Sequence, residues 1–96
     1  MRLISFDKKV NIPFELTFIC CDYNRVGEYN EKYPYQIVGE SQSGRHYILG
    51  KYSTTQYRDY VMNILELANM ANKTIFYFPD EGAVRDDLGE DEDADN

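Results

Sequence analysis

The sequence predicts an α+β fold: about five strands in one mixed, mostly antiparallel sheet and one long helix, in the order ββββαβ, followed by a disordered acidic C-terminal tail. Three observations carry that expectation. Short apolar and aromatic runs, separated by polar turn residues, recur through the first half of the chain. One helical pattern, with no interrupting Pro or Gly, fills residues 54–72. A β-rich run, TIFYF at 74–78, follows it and is closed by Pro79. The 96 residues make one domain at most, read as a body at 1–80 and a tail at 81–96.

Residues 2–6 are the first strand, with Leu3, Ile4 and Phe6 apolar, and Asp7-Lys8-Lys9 is a polar turn. Asn11-Ile12-Pro13 follows; Pro13 lacks a backbone donor, so this piece belongs at an edge, a strand start or a turn. Residues 15–23, ELTFICCDY, are the next strand. Leu16, Phe18 and Cys20 share one face, and Thr17, Ile19 and Cys21 the other. Apolar residues on both faces predict a central position in the sheet. Residues 24–34, NRVGEYNEKYP, form a loop of the length at which loops become functional or mobile. Residues 35–40 are the third strand, Ser41-Gln42-Ser43-Gly44 a hairpin turn, and residues 45–51 the fourth strand.

Ser53 is the expected N-cap of the helix, with Gln56 completing a capping box and Tyr52 and Tyr57 a hydrophobic staple. From Tyr57, apolar residues recur at 60, 61, 64, 65, 68 and 71, the spacing of one buried helical face. Asn72 suits a left-handed cap, and Lys73 complements the helix dipole. A strand–helix–strand unit of this kind is the usual parallel crossover, right-handed if its two strands share a sheet. In the tail, Val84 and Leu88 are four apart, which would let a short helical turn dock; the density of like charge otherwise opposes compaction.

Charge is divided along the chain. The net charge is −7, yet residues 1–79 carry nine basic and eight acidic groups, and residues 80–96 carry nine acidic groups against Arg85 alone. Acidity is therefore a property of the C-terminus, not of the body. Nine Tyr and five Phe, with no Trp, place many amphipathic rings at the rim of the core or on a contact surface. No run approaches the roughly 18 apolar residues of a membrane span, and the N-terminus has no apolar core of a signal peptide, so a cytoplasmic protein without membrane contact is expected.

The residues offer little chemistry. Cys20 and Cys21 are adjacent, which supports neither a disulfide framework nor a zinc site; in a strand they point to opposite faces, one toward the core. His46 is the one histidine and has no recognisable catalytic companion. Ser41-Gln42-Ser43-Gly44-Arg45 opens no helix and reads as a turn, not an anion site. The tail lacks the register of a calcium loop. No catalytic residue, metal ligand or cofactor is assigned, and the chain is expected not to be an enzyme. Binding is better supported. Tyr23, Tyr29, Tyr33 and Tyr35 interleave with Arg25 and Lys32 over one loop, and Tyr and Arg are enriched at interfaces. At 100° per residue, Met62 and Met70 flank Glu66 on the outer side of the helix as adaptable contacts. Asp91, Glu92 and Asp93 of the tail could compete for basic surfaces.

MRLISFD at the start, Asn11-Ile12-Pro13-Phe14, Ile48-Leu49-Gly50-Lys51-Tyr52-Ser53 before the helix and Ile75-Phe76-Tyr77-Phe78-Pro79 after it resemble a class of small proteins of bacteriophages and integrated mobile elements of Gram-positive bacteria. In that class an LG-x-Y-[ST] turn leads into the helix, and a strand ending in Pro follows. The resemblance spans residues 1–80 and excludes the tail. It implies a bacterial cytoplasm and transfers no catalytic or binding residue. Two functions are expected from these features: an interaction protein that inhibits a host complex, such as a defence nuclease, through the Tyr-rich loop and acidic tail; or a single-stranded nucleic-acid module held in check by that tail. The net negative charge counts against nucleic acid as a partner of the whole chain.

Overall fold

A computed structural model describes residues 1–90; Asp91, Glu92 and Asp93 lie outside the described residues. In chain order the elements are β1 (Arg2–Ile4), β2 (Asn11–Pro13), a 3₁₀ turn (Phe14–Leu16), β3 (Phe18–Tyr23), β4 (Tyr35–Glu40), β5 (His46–Tyr52), α1 (Thr55–Met70), β6 (Ile75–Tyr77) and α2 (Glu81–Asp87). The α+β class holds, but the single five-stranded sheet does not. There are two three-stranded sheets, ordered β2-β1-β6 and β3-β4-β5.

The first sheet joins the two ends of the chain. β1 pairs antiparallel with β2 and parallel with β6, in the register Arg2↔Ile75, Leu3↔Phe76, Ile4↔Tyr77. The strand after α1 therefore does not share a sheet with β5, and the condition for a classical crossover is not met. The reason lies just beyond β1. The buried Ser5 hydroxyl donates to Asp7 Oδ1 at 2.6 Å and accepts from Val10 N at 3.0 Å, and Lys8 takes φ 63°. This tight loop ends β1 after three residues. Phe6 N then donates to the Leu49 carbonyl at 2.9 Å, so the two sheets meet at a corner.

The second sheet is an antiparallel meander. β4 is its central strand, with Gln36, Ile37, Val38 and Gly39 all buried. The hairpin over residues 41–44 forms as expected, closed by Ser41 N to the Arg45 carbonyl at 2.9 Å. A bulge places Ile37 opposite Gly50 and Val38 opposite Ile48, leaving Leu49 as the extra residue of β5. β3, expected at the centre, is an edge strand. Its two apolar faces have different explanations: Ile19 and Cys21 turn toward α1, while Phe18 on the other face is 69% exposed.

α1 lies against both sheets. Tyr57, Val61 and Leu65 enter a core shared with Leu3, Ile37, Leu49, Tyr52, Phe76, Phe78 and Val84. The cap is Thr54 rather than Ser53: Thr54 Oγ1 accepts from Tyr57 N at 3.2 Å, and Ser53 N is drawn instead to Glu81 Oε1 at 2.6 Å. The C-terminus matches expectation. Asn72 takes φ 56°, and bonds from Asn72 N to Asn69 O and from Lys73 N to Ala68 O, 3.1 and 3.0 Å, make a Schellman motif.

The body does not end at residue 80. Asp80 Oδ1 accepts from Ala83 N at 2.9 Å and caps α2, and Gly89 at φ 76° closes it with a second Schellman pair. Val84 is fully buried in the common core. Tyr57 and Tyr60 donate to Glu90 Oε1 and Asp87 Oδ2, at 2.9 and 3.4 Å. The expected disordered tail from Glu81 is thus corrected through Glu90. One buried valine, a capped helical turn and the donors that Ser53, Tyr57 and Tyr60 offer to Glu81, Glu90 and Asp87 outweigh the mutual repulsion of the carboxylates.

Candidate functional site

The alternation of an antiparallel ladder determines which backbone groups of β3 are spent on β4. Asn24 N donates to the Pro34 carbonyl at 2.8 Å, and this pair continues the β3–β4 register of Tyr23↔Tyr35, Asp22↔Gln36 and Cys21↔Ile37. Pairs of the same phase, Asp22–Gln36, Cys20–Val38 and Phe18–Glu40, are the hydrogen-bonded ones. Ile19, Cys21 and Tyr23 therefore point their N–H and C=O groups away from β4, to an edge that no described strand covers. Proteins usually guard such an edge with Lys, Pro, a bulge or extreme shortness. FICCDY has six residues, no Lys, no Pro and no bulge in its own ladder. Its one charge, Asp22, is neutralised by Arg25 Nη1 at 2.9 Å.

Beside this edge, α1 and β3 enclose a groove of about 530 Å³. Phe14, Ile19, Cys21, Met62 and Leu65 form its apolar floor; Asp59, Asn63, Glu66 and Asn69 form its rim. Met62 was expected on the outer face of α1 and instead lies half-buried in this groove. The helix buries the Tyr57–Val61–Leu65 line most deeply, which rolls the Met62 side toward β3. Met70 does stand on the outside, 70% exposed, and takes no part in the groove.

The loop residues are dispersed. Tyr23 and Tyr35 meet edge to face at 5.2 Å, and the Arg58 guanidinium lies over Tyr35. Tyr29 is 73% exposed. Tyr33 turns elsewhere, lining a separate hollow with Phe6 and Lys51. The Gln36 side chain, buried in β4, pins the loop by accepting from Arg25 N and Val26 N, both at 3.1 Å, and donating to the Val26 carbonyl at 2.9 Å.

Arg25 belongs to a polar cluster on the other face of the sheet. Its guanidinium reaches Asp22 and, at 3.2 Å, His46 Nε2, which also stands 3.1 Å from Glu40. Arg25 holds the Asp22 carboxyl below the usual carboxylate range. Neither cysteine is a core residue, contrary to expectation: Cys20 is half-buried and Cys21 exposed, because β3 is an edge. Desolvation raises both thiols above their ordinary value, and Asp22 pushes Cys20 further up, so both stay protonated at neutral pH. Among the described residues, no group of three or more His, Cys, Asp or Glu could hold a metal ion, and no helix is long and apolar enough to cross a membrane.

The β3 edge and the α1 groove are the features that sequence reasoning missed. One signal was present: a six-residue β-rich run with neither Lys nor Pro. It did not say whether a neighbour lay on both sides. No protein-family model matches the chain, and neither curated proteins nor solved structures show a match.

Proposed function

We propose that this is a non-enzymatic interaction protein of phage or mobile-element type, acting in a bacterial cytoplasm by binding and inhibiting a host protein complex such as a defence nuclease. The observation that carries the reading is the unguarded edge of β3, with outward backbone groups at Ile19, Cys21 and Tyr23, beside an apolar groove under α1. Addition of a partner strand to such an edge is a common mode of recognition, in which backbone bonds give affinity and side-chain pockets give selectivity. The exposed rings of Tyr23 and Tyr29 extend the surface at one end. A protein partner is favoured over single-stranded nucleic acid because Arg25, two residues from Tyr23, is already paired with Asp22.

The test is affinity capture from bacterial host lysate with three baits: the intact protein, a Cys21→Pro variant and a chain truncated after Glu90. Proline at position 21 removes a donor that faces away from β4, so the ladder itself survives. A specific partner retained by the intact protein and depleted at least tenfold on Cys21→Pro is expected. Equal capture by both baits would remove the β3 edge from the reading. Loss on truncation after Glu90 would assign Asp91, Glu92 and Asp93 a share of the contact, and unchanged capture would exclude them.

A further inference from the structure

The occupant of the β3 edge has a definable chemistry, and this deduction rests on the reading that β3 binds a protein. We infer that β3 accepts an extended partner segment carrying Lys or Arg, added as a fourth strand, with its apolar side chains in the α1 groove and its cation at Glu66 and Asp59.

Three observations converge on that segment. The outward N–H and C=O groups of Ile19, Cys21 and Tyr23 alternate as an extended chain requires. The helix residues bordering the groove run from Asp59 to Asn69, about 15 Å along the axis. Same-side residues of a strand lie roughly 7 Å apart, so two successive side chains of an added strand fit beneath α1. The third is charge. The groove is lined by Asp59 and Glu66 and by no Lys or Arg. Asp59 already contacts Arg58 at 3.2 Å, but Glu66 is exposed and ion-paired with nothing among the described residues.

The same charges decide against two other occupants. A second copy could pair its β3 antiparallel about a two-fold axis through Cys21, which matches all the outward groups. That axis stands normal to the sheet, so both α1 helices would lie on one side and bring Asp59 and Glu66 of each chain together, between molecules of net charge −7. The chain's own residues 91–96 are acidic and meet the same repulsion. A basic partner segment meets attraction instead.

The test is selection of a random decapeptide display library on the intact protein. Peptides of alternating apolar residues with Lys or Arg should be enriched. Resynthesised, they should bind a Asp59→Lys/Glu66→Lys variant at least tenfold more weakly, and acidic peptides should be selected by that variant. Both substituted positions are exposed, so folding is retained. Slowed amide exchange at Ile19, Cys21 and Tyr23 of the intact protein should accompany binding, a readout independent of whether Cys21→Pro folds. Enriched peptides that lack basic residues, tolerate the charge reversal and still protect those amides would overturn the basic segment while leaving the edge reading standing. No enrichment, or binding without protection of those amides, would sink both. Sedimentation showing a dimer of the intact protein that protects the same amides would assign the edge to a second copy and end the proposal.

Discussion

Gly50 sits where the core admits no side chain. A Cβ there would collide with the hydroxyl and ring of Tyr52, itself fully buried with its hydroxyl donating to the Pro79 carbonyl at 2.8 Å. Gly50→Ala should therefore destabilise the protein by about 1–3 kcal/mol, the usual range for overpacking, as measured by urea unfolding. Asp22 makes a pH-dependent contribution whose sign follows from its partner. Arg25 lowers the carboxyl's value in the folded state, so the folded chain binds that proton less readily than the unfolded chain. The stabilisation is present above the ordinary Asp range of about 4 and is lost as pH falls through the lower folded value. Arg25→Gln should return the Asp22 titration, followed by NMR, toward its ordinary value; an unchanged titration would contradict the assigned cause. Asp7, lowered chiefly by the Ser5 hydroxyl, follows the same sign.

At the scale of elements, both helices end in the same way, and their ends explain substitutions that touch nothing else. Asn72 lies at φ 56°, where a β-branched residue is strained by about 1–2 kcal/mol and glycine is not. Asn72→Val should lower the melting temperature, and Asn72→Gly should leave it unchanged or raise it. Thr54→Ala removes the side-chain acceptor for Tyr57 N and should cost about 1 kcal/mol by the same unfolding measurement, whereas the Ser53 hydroxyl, which a capping-box reading would favour, is not the one that caps α1. β3 carries the opposite lesson. Its residue types suit a central strand, and only its neighbours make it an edge.

At the scale of the molecule, the C-terminal helix closes the fold. Val84 contributes a fully buried side chain to the core that joins α1 to both sheets, and Glu81 ties the start of α1 to α2. Val84→Ala should cost about 2 kcal/mol. Truncation after Asp80 should destabilise by more. Melting of the truncated chain at the temperature of the intact protein would mean that α2 is not part of the cooperative unit.

Local rules made much of this legible. The α1 face was readable from apolar residues recurring from Tyr57 to Leu65, its end from Asn72 and the β4–β5 turn from Ser41 to Gly44, because each depends on contacts within a few residues. α2 was half legible: Asp80, Val84 and Gly89 form a cap, an anchor and a stop, but the surrounding carboxylates carried the reading toward disorder. The Tyr-rich loop was visible as composition, yet its rings separate because Gln36 and Lys51, on two different strands, draw parts of it in different directions.

The sequence by itself determined the α+β class, the long amphipathic helix with its left-handed stop, the antiparallel hairpin and the concentration of acid at the C-terminus. Tertiary structure alone decided that β6 joins β1 rather than β5, that Val84 belongs to the core, and that β3 has an open side. The physical reason is common to all three. Propensity and periodicity state what a segment can pair with or bury, whereas partner choice is settled by residues far apart in the chain, such as Arg2 with Ile75 and Val84 with the shared core.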